Sequence, residues 1–179
     1  MGNILLSELL TFCGFPTEGR AIKVARHQDD KILVEDLYRM GEFEVYQSYQ
    51  RQRWYSDCQY LISCIGMPGS LARIVGVYEV GAPEAHAPIP TGLSPEHARL
   101  YDGNHWRYPL TMLAGPEYQR LQSLYGRAVI RFRGRFVSFL WPDAAVIELL
   151  PEGSAEAFPG FLNVRLPFSR LQQLGRVNK

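Results

Sequence analysis

Cysteine is scarce in this chain. Only Cys13, Cys58 and Cys64 occur among 179 residues, and this odd, widely spaced set contains no CxxC pair. It therefore argues against a disulfide framework and against a zinc site. A reducing compartment is the simplest reading, and the cytoplasm is the expected location. Long apolar runs are missing as well, since nothing approaches the ~18 residues needed to span a membrane. The opening MGNILLSELLTFCGF has no basic region of a secretory leader, and Leu6 stands where a myristoylation signal needs Ser or Thr. Charge of one sign is also lacking. A net charge of +1 provides no global field for a polyanion, so such a partner would have to be met by a local patch.

Catalytic signatures are absent too. The sequence has no GxSxG elbow, no HExxH, no phosphate-binding glycine loop and no dinucleotide fingerprint. The glycines of GMPGSLARIVG (66–76) join two strand-like runs and lack the helix N-terminus that phosphate capture requires. His86, His97 and His105 fall in or beside one loop, with Glu96 and Asp102 nearby in sequence. Their spacing matches no metal-ligand pattern. Cys58 and Cys64 border or enter an apolar strand and read as buried thiols rather than nucleophiles. No catalytic residue, metal or cofactor is expected, and a metal-dependent hydrolase is the last-ranked reading.

What is present is an ordinary globular composition, 46% hydrophobic and 21% charged, in a chain long enough for one domain over 1–179 with a real core. Ile4, Leu5, Leu9, Leu10 and Phe12 share a helical stripe, predicting a helix over 3–13 closed by Gly14. RAIKVARHQ (20–28) alternates as a strand. Ile32, Leu33, Leu37 and Met40 predict a helix over 31–40, with Asp29 or Asp30 to start it and Gly41 to stop it. Residues 43–54 fit either a short helix or a loop. QYLISCIG (59–66) and LARIVGVYEV (71–80) form the clearest hairpin, turning through Met67, Pro68, Gly69 and Ser70.

Residues 81–104 carry Pro83, Pro88, Pro90, Gly92, Pro95 and Gly103 and read as a long loop, either a functional flap or disordered. WRYPLTML (106–113) reads as a strand and EYQRLQSLYG (117–126) as a short helix. A second hairpin, RAVIRFRG with RFVSFLW, turns at Arg133-Gly134; VIELL (146–150) is a last strand and 168–175 a closing helix. This order predicts an α+β fold, a small curved antiparallel β-barrel flanked by short helices.

Three patches point to binding. Tyr46, Gln47, Tyr49, Gln50, Arg51, Arg53, Trp54 and Tyr55 lie within ten positions. Rings that stack on bases, amides that read base edges and cations that hold phosphates are interleaved there. The bland alternative places Tyr46, Tyr49 and Trp54 in the core with the polar residues merely wet. The second patch, Arg127, Arg131, Arg133 and Arg135, would track phosphates along a strand face, or simply be solvated. The third is Arg26-His27-Gln28 at a strand end, able to hold a phosphate or to pair with Asp29 or Asp57.

RHQDD (26–30), YQSYQ (46–50) and CQYLISCIGMPGSLARIVGVYEV (58–80) resemble, in this order, an N-terminal domain of bacterial GIY-YIG nuclease-type proteins. RAVIRFRGRFVSFLW (127–141) and AFPGFLNVRLPFSRL (157–171) look like that family's final strand, FPGY-type turn and closing helix, so the likeness covers most of the chain from about residue 20. No GIY…YIG pair is present, so nuclease activity does not carry over. Phe132-Arg133-Gly134-Arg135 replaces the family's tryptophan-glycine stretch. At fold level the order is similar to PUA-like domains of the EVE and YTH kind, small barrels that bind nucleic acid, often with a modified base in an aromatic pocket. The DNA-binding pseudobarrel of plant-type domains is the alternative topology.

The resulting expectation is a non-enzymatic nucleic-acid-recognition domain, DNA ahead of RNA, reading a modified or flipped base in restriction, defence or counter-defence. Tyr46, Tyr49, Trp54 and Trp106 would stack, Gln47 and Gln50 would read base edges, and Arg26, His27, Arg51, Arg53, Arg131, Arg133 and Arg135 would hold phosphates, with residues 81–104 closing over the ligand. The rival is a protein–protein module that recruits or inhibits a separate nuclease subunit, because Tyr, Trp and Arg also dominate protein interfaces.

Overall fold

A computed structural model describes residues 4–27, 33–68, 71–132, 139–140 and 145–149. The chain opens with a two-residue strand β1 (Ile4–Leu5) and runs directly into helix α1 (Leu6–Phe12). The Glu8 carboxylate accepts from the Leu5 backbone N–H at 3.0 Å, tying off the helix start. Ile4 and Leu5, expected inside the helix, pair instead with Ile147 and Val146 of β11 (Ala145–Leu149). Strand β2 (Ile22–His27) follows, then α2 (Leu33–Met40), which ends where Gly41 takes φ +75°. The ambiguous segment resolves into α3 (Phe43–Ser48) and a short strand β3 (Tyr49–Gln50).

The expected hairpin is present as β4 (Tyr60–Gly66) and β5 (Leu71–Val80). An extra residue, Val75, interrupts its register, because Ser63 faces Gly76 while Cys64 faces Ile74. β5 is the spine of the main sheet. One edge pairs with β4; the other is shared, Leu71–Arg73 with β9 (Ala128–Phe132) and Tyr78–Val80 with β8 (Leu110–Met112). Between those two partners, the Leu113 N–H donates to the Val77 carbonyl at 2.8 Å and the Gly126 N–H to the Ile74 carbonyl at 2.7 Å. These two bonds carry the pairing of that edge across the gap between β9 and β8.

The sheet order is β1-β11-β9-β5-β4-β2-β10, where β10 is Phe139–Leu140. β2 lies parallel to β4, and every other pairing in this sheet is antiparallel. A parallel neighbour needs a crossover connection, which α2 and α3 supply. Among the described residues β9 and β10 do not pair as the second expected hairpin. β9 pairs with β5 and β11, whereas β10 pairs with β2 at the far edge. The path is open among the described residues, so the architecture is a mixed α+β fold built on a largely antiparallel sheet.

Side chains sort by strand alternation. Ile22, Val24, Ile62, Ile74, Val77 and Ile130 pack on one face against Leu6, Leu9 and Leu10 of α1 and against Leu121, Leu124 and Tyr125. The opposite face carries Ile65 and Val75 under Val34, Leu37 and Phe43, and Ala25, Leu61 and Tyr78 under Tyr55 and Tyr108. Arg73 is 1% exposed within this second layer. Its guanidinium donates to Glu35 of α2 at 2.5 Å and lies 5.7 Å from the Tyr38 ring centroid.

Residues 81–104 are not an empty flap. They contain β6 (Glu84–Ala85) and α4 (Pro95–Arg99), the latter capped by Ser94. β6 joins β3 and β7 (Trp106–Arg107) in a second, three-stranded sheet of order β3-β7-β6. Tyr108-Pro109 divides the expected strand at 106–113 into β7 and β8. The 117–126 helix shrinks to a 3-10 turn at Pro116–Tyr118 followed by α5 (Gln119–Gln122). The closing helix expected at 168–175 lies outside the described residues.

Candidate nucleic-acid interface

The polar-aromatic segment divides sharply by burial. Gln47, on the inward face of α3, is fully buried, and its Oε1 accepts from the Ser63 hydroxyl on the sheet below. Tyr49 is buried, with its hydroxyl donating to the Pro88 carbonyl at 2.9 Å and its ring 5.3 Å from Tyr101. Tyr46 is half-buried and meets Tyr101 edge-on at 6.1 Å and His27 at 5.9 Å. Gln50 Nε2 donates to the Gln47 carbonyl at 2.7 Å and to the Tyr55 hydroxyl at 3.1 Å. These four residues therefore spend their rings and amides on the fold in this conformation. Gln47 has no access to a base edge here, because α3 is amphipathic and its position faces the sheet.

His27 belongs to the same interior. Its ring sits edge-on to Phe43 at 5.0 Å. Its Nε2 and Gln47 Nε2 are enclosed and make no hydrogen bond among the described residues, although the Gln47 amide lies beside both the imidazole and the Tyr78 hydroxyl. Burial pushes the His27 pKa down to about 4, with the nearby Gln47 amide opposing it. The imidazole is therefore neutral at physiological pH and lacks the positive charge that a phosphate contact would use.

What remains outside is a corner made by the turns after β3. Arg51, Gln52, Arg53 and Trp54 are all exposed. Among the described Phe, Tyr and Trp side chains Trp54 is the one that is exposed, at 39%. Its Nε1 donates to Gln52 Oε1 at 2.9 Å, and its carbonyl accepts from Lys23 Nζ at 2.8 Å. Arg53 stacks over half-buried Trp106, 5.2 Å from the ring centroid. Trp106 itself is held by pairing between Gln50 on β3 and Ala85 on β6. Neither Arg51 nor Arg53 forms an ion pair among the described residues, whereas Arg107 pairs with Glu84 at 3.3 Å and Lys23 with Asp57. The Lys23 contact holds the Asp57 carboxyl below the usual range.

The structure thus brings together Arg51, Arg53, Trp54 and Trp106. It places Arg26 and Arg131 elsewhere. Arg26 donates to the Met67 carbonyl at 3.0 Å, and burial lowers its pKa. Exposed Arg131 faces Leu71 across β5 and β9. Both stand at the turn end of the β4–β5 hairpin, whereas Trp54 contacts Lys23 near the start of β2. Lys23 and Arg26 are three positions apart on β2, about 10 Å at about 3.3 Å per residue, and the Arg26 side chain reaches toward Met67. Arg133 and Arg135 lie outside the described residues. Val129 of β9, between Arg127 just before the strand and Arg131 on it, is buried, so the described residues form no unbroken arginine stripe there.

Burial raises the thiol pKa of Cys13 to about 12 and of Cys58 to about 11, and pushes Cys64 up as well. His86 and His105 are exposed, and His97 Nδ1 lies 3.9 Å from Glu42. Among the described residues no three His, Cys, Asp or Glu side chains gather as a metal site, and no helix is long and apolar enough to cross a membrane. Sequence reasoning missed the Glu35–Arg73 pair, though a lone arginine inside the apolar run of β5 was its signal. Comparison with family models, with curated proteins and with solved structures finds no match to this chain.

Proposed function

We propose that this chain is a non-enzymatic nucleic-acid-binding module whose contact surface is the corner formed by Arg51, Arg53, Trp54 and Trp106. The observation that carries this reading is the pairing of the one exposed indole among the described residues with two exposed arginines that have no acidic partner there. A ring offers stacking and a guanidinium offers bidentate phosphate contact. Arg26 and Arg131 would extend the contact toward the far end of the β4–β5 hairpin, and Arg133 and Arg135 belong to the same assignment. Tyr46, Gln47, Tyr49, Gln50 and His27 enter it as the support beneath the corner. In the finer reading the curved sheet is PUA-like, the ligand is DNA with a modified or flipped base, and the setting is cytoplasmic restriction or defence. The resemblance to the domain that accompanies GIY-YIG-type proteins supports that context.

A second reading, a module that docks on a nuclease, is favoured by the paired charges Lys23–Asp57 and Arg107–Glu84, which neutralise part of the rim. Salt separates the two. Nucleic-acid affinity should fall steeply between about 50 and 200 mM salt, and an Arg51→Ala, Arg53→Ala double variant should reduce the slope by about two phosphate contacts. Absence of any salt-dependent DNA or RNA binding would contradict the nucleic-acid reading and favour the protein partner.

A further inference from the structure

We infer that the corner takes unpaired nucleotides, single-stranded or splayed out of a helix, in preference to intact duplex. This rests on the nucleic-acid reading above and narrows its ligand. Direct duplex readout needs an element that enters a groove, an α-helix or a two-stranded ribbon in the major groove. The corner offers neither. Residues 51–57 are bends and turns, and the strands beneath them, β3, β6 and β7, have two residues each. The adjacent helix α3 turns its Gln47 and Ser48 inward and ends at the corner rather than projecting from it.

The groups that are offered suit an unstacked base. In a duplex both faces of each internal base are covered by neighbours, so an exposed indole finds no partner without prising the stack apart. A single strand has open faces and a flexible backbone, and aromatic platforms flanked by cations are the general solution for it. Trp54 supplies the exposed ring. Arg51 and Arg53 both precede it within three positions, with Arg53 already oriented by its contact with Trp106. The Trp54 carbonyl bond to Lys23, itself anchored on Asp57, ties the turn to β2, so the ring is presented by a braced segment rather than a loose one. Ligand stacking would then cost little ordering entropy.

The test measures binding of the 179-residue chain to a ~12-nucleotide unstructured oligodeoxythymidine, its oligouridine counterpart and a blunt duplex of similar length, a probe size within the range one small module covers. The expected result is tighter binding to at least one single strand than to the duplex, by about tenfold or more. Trp54→Ala should weaken single-strand binding by about 5- to 140-fold, which corresponds to 1–3 kcal/mol per stacked base at 1.4 kcal/mol per tenfold, while Trp54→Phe retains most of it. Duplex affinity should change little in either variant. Duplex binding as tight as single-strand binding, or an equal loss on both from Trp54→Ala, overturns the single-strand preference and leaves the nucleic-acid reading standing. No binding to any probe overturns both.

Discussion

At the scale of the residue, the interior around His27 has the clearest consequence. Its native pKa is about 4, against about 6.5 for a free imidazole, so the unfolded chain gains a proton that the native state refuses as pH falls between those values. Stability linked to this group is therefore complete above pH ~6.5 and is lost progressively down to pH ~4, by about 3 kcal/mol at most, with no further loss from it below. Urea unfolding of wild type and His27→Phe at neutral and mildly acidic pH reads this directly. The wild-type midpoint should drop with acid, and the variant should show a much smaller drop. Equal acid sensitivity in both would mean that His27 is solvated. The same neighbourhood explains why individual site residues were only half legible. YQSYQRQRW names the right residue types, but burial is decided by helical phase. Gln47 falls on the sheet side of α3 and bonds Ser63, a partner 16 positions away that no local pattern exposes. Arg51 to Trp54 fall beyond the strand that follows, where they are exposed.

At the scale of the element, β5 governs the packing. Gly76 sits opposite Ser63 beside the bulge at Val75, and the Tyr78 ring lies across it: a Cβ added to Gly76 would meet the Tyr78 hydroxyl at 2.6 Å and ring carbons at 2.7 Å. Gly76→Ala should therefore cost on the order of 1–3 kcal/mol by displacing Tyr78 from its place beside Leu61 and Tyr55. Combining it with Tyr78→Leu should give less than the sum of the single losses, since the clashing ring is gone. Strict additivity in a thermal or urea double-mutant cycle would count against the overlap. This element was legible as a strand and as half of a hairpin, because its β-branched run and the Met67–Ser70 turn are local signals. The partnership of β9 was not. RAVIRFRG alternates as a strand should, but alternation identifies neither neighbour, and the chain places β5 on one side of β9 and β11 on the other. The parallel β2–β4 pair was hidden for the same reason, its crossover being visible only as two helices of unassigned direction.

At the scale of the whole molecule, several of the described cations are already engaged within the fold. Lys23 and Arg107 are neutralised by Asp57 and Glu84, Arg73 is sunk against Glu35, and Arg20 lies over Phe15 at 4.5 Å. Arg51 and Arg53 are left at the corner with Trp54. The α+β class was legible from the mixture of helical and alternating patterns, whereas the layering on both faces of the sheet depends on contacts remote in sequence. The expected flap at 81–104 is instead pinned by Tyr49, Ala87 and Tyr101, which makes it part of the corner's foundation. Nucleic acid is proposed to bind at this corner, and the indole N–H resonance of Trp54 is the probe that sits on it. Assigned by Trp54→Phe and followed in a proton–nitrogen correlation spectrum during oligonucleotide titration, it should move in a saturable manner that added salt reverses. A Trp54 resonance that stays in place while the protein binds nucleic acid, or while saturating oligonucleotide is present, would contradict the claim.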